Sequence, residues 1–399
     1  MSQTEVQLIK SNSVVDADIV GVSSSKLSGA LPALSAANLT NIPAANLTGT
    51  LPAISGASLT NLPASGKAKN LIVNGATAIA QRGSSSTSSG YATTDRFASY
   101  SGNIGQNVTQ SNQSLSTSDT GPYGAGFRKF HRIQLAAAGN ANANAYVEAL
   151  VYSIEAQDIA RSGWDSTSSS SNITLSFWFR CSTNQAFRLN LRSEDGTARM
   201  YSTDFTASAN NTWTKITKTI PGNTSPTVQI DNDNGAGLKL FFGAFYGTDY
   251  TDSGSTMNAW KTYSSSSQGT DMASTWLAAG ASTFDITGVQ LEVGDSATDF
   301  EHLSHAEDLA KCQRYHYKHE IVDSIGPYYT QYHSGHKFVH DFFPVTMRAA
   351  PSASVTIQTT SDGNNPYKIS KNHYKAYLGS SYTDGNSHYM TAASYTSEI

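Results

Sequence analysis

Residues 27–66 carry neither a charge nor an aromatic ring, and they repeat. The stretch from Leu31 to Ala44 returns twenty residues later as Leu51 to Ala64, with ten of fourteen positions identical. The other four exchange residues close in size. Pro32, Pro43, Pro52 and Pro63 recur every nine to eleven residues, so no helix of useful length survives. The apolar residues, among them Leu31, Leu39, Ile42, Leu51, Leu59 and Leu62, are too sparse for one chain to bury. A fixed period of this length marks a stacked or fibrous element. Several chains wound round a common axis bury such residues together, and a homotrimer is the expected assembly. A disordered Ala/Ser linker is the alternative, although disorder does not require a matched repeat.

At 399 residues the chain has room for about two or three domains. Ser and Thr number 97, charged residues are only 14%, and there are 20 Tyr. That balance suits an all-β protein with long polar turns. The net charge is −4 with no Lys/Arg cluster, so nucleic acid is not an expected partner. Cys181 and Cys312 stand far apart, which excludes a disulfide scaffold and fits synthesis in a reducing compartment. The start lacks a basic and then apolar leader, and no stretch approaches eighteen apolar residues. Neither a signal peptide nor membrane insertion is expected. Release of the protein by lysis fits that pattern.

Residues 1–26 read as a segment with short strands around Val6–Ile9 and Val14–Val20, and residues 27–69 as the repeat shaft. Alternation from 70 to 300 predicts a sandwich of two antiparallel sheets. Ile173, Leu175, Phe177 and Phe179 fall on one face of a strand over 172–180, with Trp178 on the other. Further strands are expected over 213–220, 238–246 and 284–292. Ser304 and Glu307 form a capping-box pair, predicting a short helix from about 305 to 314 within a linking segment 301–314. Residues 315–399 hold eleven of the twenty Tyr and read as a small separate β domain.

Four segments resemble tail-fibre and receptor-binding proteins of tailed bacteriophages. The repeat is similar to fibre-shaft repeats, including those of cyanophages. Asn70-Leu-Ile-Val-Asn-Gly75, Ala80-Gln-Arg-Gly83 and Thr94-Asp-Arg-Phe97 resemble the opening of the family's jelly-roll domain. Gly288-Val-Gln-Leu-Glu292, Thr298-Asp-Phe-Glu301 and Lys311-Cys-Gln-Arg-Tyr315 resemble its close, with Asp299 where the family has Pro. Phe343 to Pro351 resembles the opening of the terminal region. The resemblance implies a jelly roll akin to carbohydrate-binding modules. It implies a non-enzymatic virion protein, made in the host cytoplasm and joined to a tail or baseplate protein through its N-terminus. Its expected partner is a bacterial surface glycan.

Sugar binding needs flat aromatic faces together with groups that pair with hydroxyls. The Tyr-rich end offers Tyr328, Tyr329, Tyr332, Asn364, Asn365, Tyr367, Tyr382, Asp384 and Tyr389 as candidate receptor contacts. Alternate Tyr filling a small core is the competing reading, and the jelly-roll cleft is the rival location. The five Trp residues serve either as cleft lining or as core packing. His333, His336 and His340 invite a metal reading, but residues three apart on one strand point to opposite faces. Asp231 to Gly235 has oxygen ligands without a calcium-loop layout and reads as a polar turn. No nucleophile elbow, phosphate loop, zinc-protease or dinucleotide motif is present, so no cofactor and no catalysis are expected. A tailspike enzyme cutting surface polysaccharide, or a structural spacer whose receptor site lies on another chain, are the alternative functions.

Overall fold

The computed structural model describes residues 70–319, 329–331, 337–358, 365–377 and 389–399. The segments 1–26 and 27–69, expected as attachment segment and trimeric shaft, lie outside the described residues.

Two six-stranded sheets make the sandwich. The first runs β1 (Ser85–Ser86), β3 (Val108–Ser114), β4 (Lys129–Leu135), β12 (Thr283–Val293), β6 (Asn172–Cys181), β9 (Thr214–Pro221). The second runs β11 (Trp260–Thr262), β8 (Arg199–Phe205), β7 (Phe187–Ser193), β10 (Ala236–Tyr246), β5 (Tyr146–Glu155), β2 (Ala98–Gly102). Neighbours pair antiparallel throughout, as in β12 with β6 and β10 with β5. The all-β, sandwich expectation is therefore met.

Alternation decides which side chains enter the core. Ile173, Leu175, Phe177 and Phe179 of β6 are fully buried, opposite Phe187, Leu189 and Leu191 of β7 and Leu238, Leu240 and Phe242 of β10. Phe177 meets Phe242 edge-on at 5.1 Å, and Phe179 meets Phe187 at 5.1 Å. Burial of each such side chain contributes about 1.5–3 kcal/mol relative to exposure. Trp164, Trp260 and Trp276 join this core, whereas Trp178 and Trp213 pack on the outer face of the first sheet beside Phe127 and Phe130. Asp231 to Gly235 is a polar turn: Asp233 Oδ1 accepts from Gly235 N at 2.8 Å.

Two helices were not expected. In α1 (Ala156–Ser162), Ala156 and Ile159 are buried, and Gly163 ends the helix at φ 94°. In α2 (Thr275–Ala278), Trp276 is buried and donates Nε1–H to Thr283 O at 2.9 Å. The expected capping box is present in α3 (His305–Gln313): Ser304 Oγ accepts from Glu307 N, and Glu307 accepts from Ser304 N at 3.0 Å. Beyond it lie a three-stranded sheet, β13 (His316–His319), β19 (Tyr389–Thr396), β16 (Ser352–Gln358), and a four-stranded one. The latter runs β14 (Tyr329–Gln331), β15 (Lys337–Phe342), β18 (His373–Tyr377), β17 (Asn365–Ile369).

The conspicuous sequence motifs meet one another. Asn70 Nδ2 donates to Val289 O at 3.1 Å, and its Oδ1 accepts from Leu291 N at 3.0 Å. Asn74 Nδ2 donates to Ile79 O and Asp95 O, both at 2.9 Å. Gln81 Nε2 donates to His316 O at 2.7 Å, and the Arg96 guanidinium lies 3.5 Å from the Tyr315 ring centre. These motifs are the seam that closes the sandwich onto α3 and the residues after it.

Candidate functional site

The outer face of the second sheet carries a row set by strand register: Tyr100 on β2, Glu148 on β5, Gly243 on β10, Arg188 on β7 and Asp204 on β8. The adjacent row places Gly102, Tyr146 and Tyr246 side by side. The two glycines make room for the rings. A Cβ on Gly102 would lie 2.6 Å from Tyr146 Cε1, and one on Gly243 would lie 2.2 Å from Tyr246 Cε2. Lacking Cβ atoms, these positions let both rings lie low across the sheet.

Tyr250 completes the group from the loop after β10. Its ring stands edge-on to Tyr146 at 5.5 Å and lies 6.4 Å from Tyr246. Tyr246 is buried and donates its phenol hydrogen to Glu148 Oε1 at 3.1 Å. Burial pushes the Glu148 carboxyl above its ordinary value, against the Tyr246 hydrogen bond and the Arg192 charge. Burial also raises the Tyr100 and Tyr146 phenols. Together Tyr100, Tyr146, Glu148, Tyr246, Tyr250 and Gln268 line a cavity of about 400 Å³.

One wall is held by a buried arginine. Arg188 is 1% exposed and donates to Asp204 Oδ1 at 2.6 Å, Gln268 O at 3.2 Å and Thr270 O at 2.8 Å. Gln268 N in turn donates to Tyr250 O at 2.8 Å, and Thr251 Oγ1 to Asp271 at 2.7 Å. The loops over the cavity are thus tied to the sheet and to each other. These internal hydrogen bonds hold the shape of the site, which lowers the ordering cost of binding. Part-exposed aromatic faces beside a carboxylate and an amide suit a sugar, whose C–H faces stack on rings and whose hydroxyls donate to the acid.

Two other cavities are less suited. One of about 520 Å³ lies beside Trp178, Lys215, Phe300 and His302. Its rings turn on one another: Phe127 meets Phe300 at 4.7 Å and His302 at 5.0 Å. The second, about 620 Å³, borders Asn70, where the described residues begin.

Of the sequence-predicted contacts, Tyr328, Tyr332, Asn364, Tyr382, Asp384, His333 and His336 lie outside the described residues. Tyr329 sits on β14, Asn365 and Tyr367 on β17 and His340 on β15, all in the four-stranded sheet. Tyr329 and Tyr367 occupy its opposite edge strands, and Tyr389 belongs to β19 in the other sheet. Among the described residues no group of three or more His, Cys, Asp or Glu is placed to hold a metal ion. The tyrosine cavity was missed because its residues are scattered from 100 to 268. The available signal was the recurrence of Tyr with Gly two or three positions away on strands, as in Tyr100–Gly102 and Gly243–Tyr246.

No family model matches the chain, and no curated protein matches it. Among solved structures it is similar to the enzymatically active domain of tailspike protein 4 of bacteriophage CBA120, at 11% identity and TM-score 0.31. That match covers 56% of this chain and 21% of the tailspike domain, so the chain spans about a fifth of it. It is also similar to a family 11 carbohydrate-binding module from Clostridium thermocellum in complex with a β-1,3-1,4-mixed-linked tetrasaccharide. There the identity is 12% and the TM-score 0.25, covering 55% of this chain and 98% of the module. Each is a low-identity similarity of chain trace and adds nothing to the chemistry of the site built above.

Proposed function

We propose that this chain binds a surface glycan without cleaving it, as the receptor-contacting part of a phage tail fibre. The observation that carries the reading is the cavity of Tyr100, Tyr146, Tyr246 and Tyr250 around Glu148. The fibre assignment rests on the sequence resemblance and on the 27–66 repeat. In this reading residues 1–26 attach to the virion and 27–69 form a trimeric shaft.

The cleft is tested by titrating host-surface oligosaccharides into the wild type and into the Tyr100→Ala/Tyr146→Ala double variant. Each ring contributes about 1 kcal/mol of stacking, so affinity should fall roughly tenfold or more with the melting temperature held. Wild-type affinity in a folded variant would move the site to the candidate tyrosines of 315–399. Release of reducing ends from the same oligosaccharides would replace binding by catalysis.

Light scattering of the full chain should give three times the 42.5 kDa chain mass. Replacing Leu39 and Leu59 by Asp should lower that mass, because it brings like charges together near one axis. A folded wild-type monomer at micromolar concentration would exclude the trimeric shaft.

A further inference from the structure

We infer that the tyrosine cavity selects by charge, accepting glycans that offer hydroxyl donors to Glu148 and rejecting those that carry acidic groups. The inference rests on the reading of this cavity as a glycan site and names the class of sugar it takes.

Five of the six lining residues are uncharged, and the sixth is Glu148. A carboxylate only accepts hydrogen bonds, so its counterpart must be a donor. One donor is already supplied by the Tyr246 phenol at Oε1. An adjacent pair of sugar hydroxyls supplies further ones, whereas a sugar carboxylate, sulfate or phosphate supplies only acceptors and like charge.

The cations nearby have partners of their own, although the Arg192 charge still reaches Glu148, and Lys261 donates to Ser255 Oγ. Arg188 is buried against Asp204 at 2.6 Å, and its other nitrogens donate to Gln268 O and Thr270 O. Arg192 pairs with Glu194 at 2.6 Å, and its guanidinium lies 4.9 Å from the Phe241 ring centre and 4.6 Å from that of Tyr263. Lys239 lies 3.9 Å from the same Glu194. Neither arginine nor Lys239 lines the cavity. The acids of the neighbouring loops add no donor to the site: Asp252 Oδ1 accepts from Gly254 N at 2.9 Å, Asp271 Oδ1 accepts from Thr251 Oγ1 at 2.7 Å, and neither lines the cavity. An anionic sugar seated on these rings meets Glu148 with no cation in the lining to offset the repulsion.

The test is calorimetric titration at mildly alkaline pH with neutral hexose oligosaccharides and with oligogalacturonate of equal length. The neutral sugars should bind at least about tenfold more tightly, the size expected for one like-charge contact in a partly buried site. Added salt should raise the oligogalacturonate affinity and leave the neutral one nearly level, because only the first is electrostatic. Glu148→Gln keeps the shape and an acceptor oxygen but removes the charge. It should lower the neutral-to-acidic affinity ratio at least about fivefold. Equal or tighter binding of oligogalacturonate by the wild type, or an unaltered ratio in folded Glu148→Gln, overturns the charge selection while leaving a glycan site. Absence of binding by every sugar overturns the glycan reading itself.

Discussion

Glu398→Ala is expected to destabilise the fold by about 3–5 kcal/mol, the cost of removing one partner from a buried ion pair. Arg96 is 1% exposed and cannot shed its proton, since guanidinium stays charged in proteins. Its Nη1 pairs with Glu398 Oε2, its Nη2 donates to Ser153 O, and its Cζ lies 3.5 Å from the ring centre of Tyr315 and 5.1 Å from that of Tyr152. The other Glu398 oxygen accepts from Arg82 Nη2 at 2.9 Å, and Arg82 also meets Asp95 at 3.4 Å. Without Glu398, Arg96 remains a buried cation beside the neutral rings of Tyr152 and Tyr315, with Asp158 the carboxylate that still feels its charge. The same end of the chain is held by Arg348, which donates to Ser397 O at 2.6 Å, Glu398 O at 3.0 Å and Asn234 O at 2.9 Å.

Denaturant unfolding of the full chain measures the loss. Arg96→Met combined with Glu398→Ala should recover part of it, because removing both charges leaves neither stranded. A loss below about 1 kcal/mol for Glu398→Ala would mean that water reaches Arg96 and the pair behaves as a surface bridge.

This network explains what was legible in the sequence and what was not. Strands such as β6 and β12 were legible because burial on one face writes a period of two into the chain. The helix α3 was legible because Ser304 and Glu307 are both local to its first turn. The motifs around Asn70, Arg96, Val289 and Tyr315 stand out in the chain, but Asn70 meets Val289 and Leu291, and Arg96 meets Tyr315, across more than two hundred residues, so their task emerges only when the sheets close. The tyrosine cavity was illegible for the same reason: Tyr100, Tyr146 and Tyr246 come from three strands, and only register makes them neighbours. The tyrosines of 315–399 stand out by local density, whereas a sheet-face cavity takes one ring from each strand and leaves no local density to read. The helices α1 and α2, of seven and four residues, are too short to show a helical period.

Acidification should expose His131 as a second buried dependence of the fold. The imidazole is fully buried between the sheets, and its hydrogen bonds form a relay. Asn112 Nδ2 donates to Thr94 Oγ1 at 3.1 Å, leaving the Thr94 hydroxyl to donate to His131 Nδ1 at 3.0 Å. His131 Nε2–H then donates to Ser99 Oγ at 3.1 Å, and Ser99 donates to Ala149 O at 2.9 Å. That arrangement satisfies the neutral ring, and a second proton would turn Nδ1 from acceptor to donor against Thr94. Burial, opposed weakly by Ala149, pushes the ring from its ordinary 6.5 down to about 4. Between those values the unfolded chain binds the proton and the folded chain does not, so stability falls as pH falls. The full loss is about 3 kcal/mol and is complete below about pH 4.

His316, pushed down to about 3 chiefly by burial and then by Arg82 and Lys318, loses stability in the same direction. Asp95, raised to about 6 by burial, acts oppositely: its penalty is present above that value and is relieved on acidification. The wild-type profile alone therefore mixes opposing slopes. The difference between wild type and His131→Gln isolates one group, since Gln does not titrate and the other two groups contribute to both chains. His131→Gln should be less stable near pH 7, through lost hydrogen bonds, and that deficit should shrink by about 3 kcal/mol by about pH 4. Chemical denaturation at a series of pH values reads the gap. A gap that stays constant across the range would mean that water or a rearranged Thr94 hydroxyl accommodates the imidazolium, and that His131 is a packing residue alone.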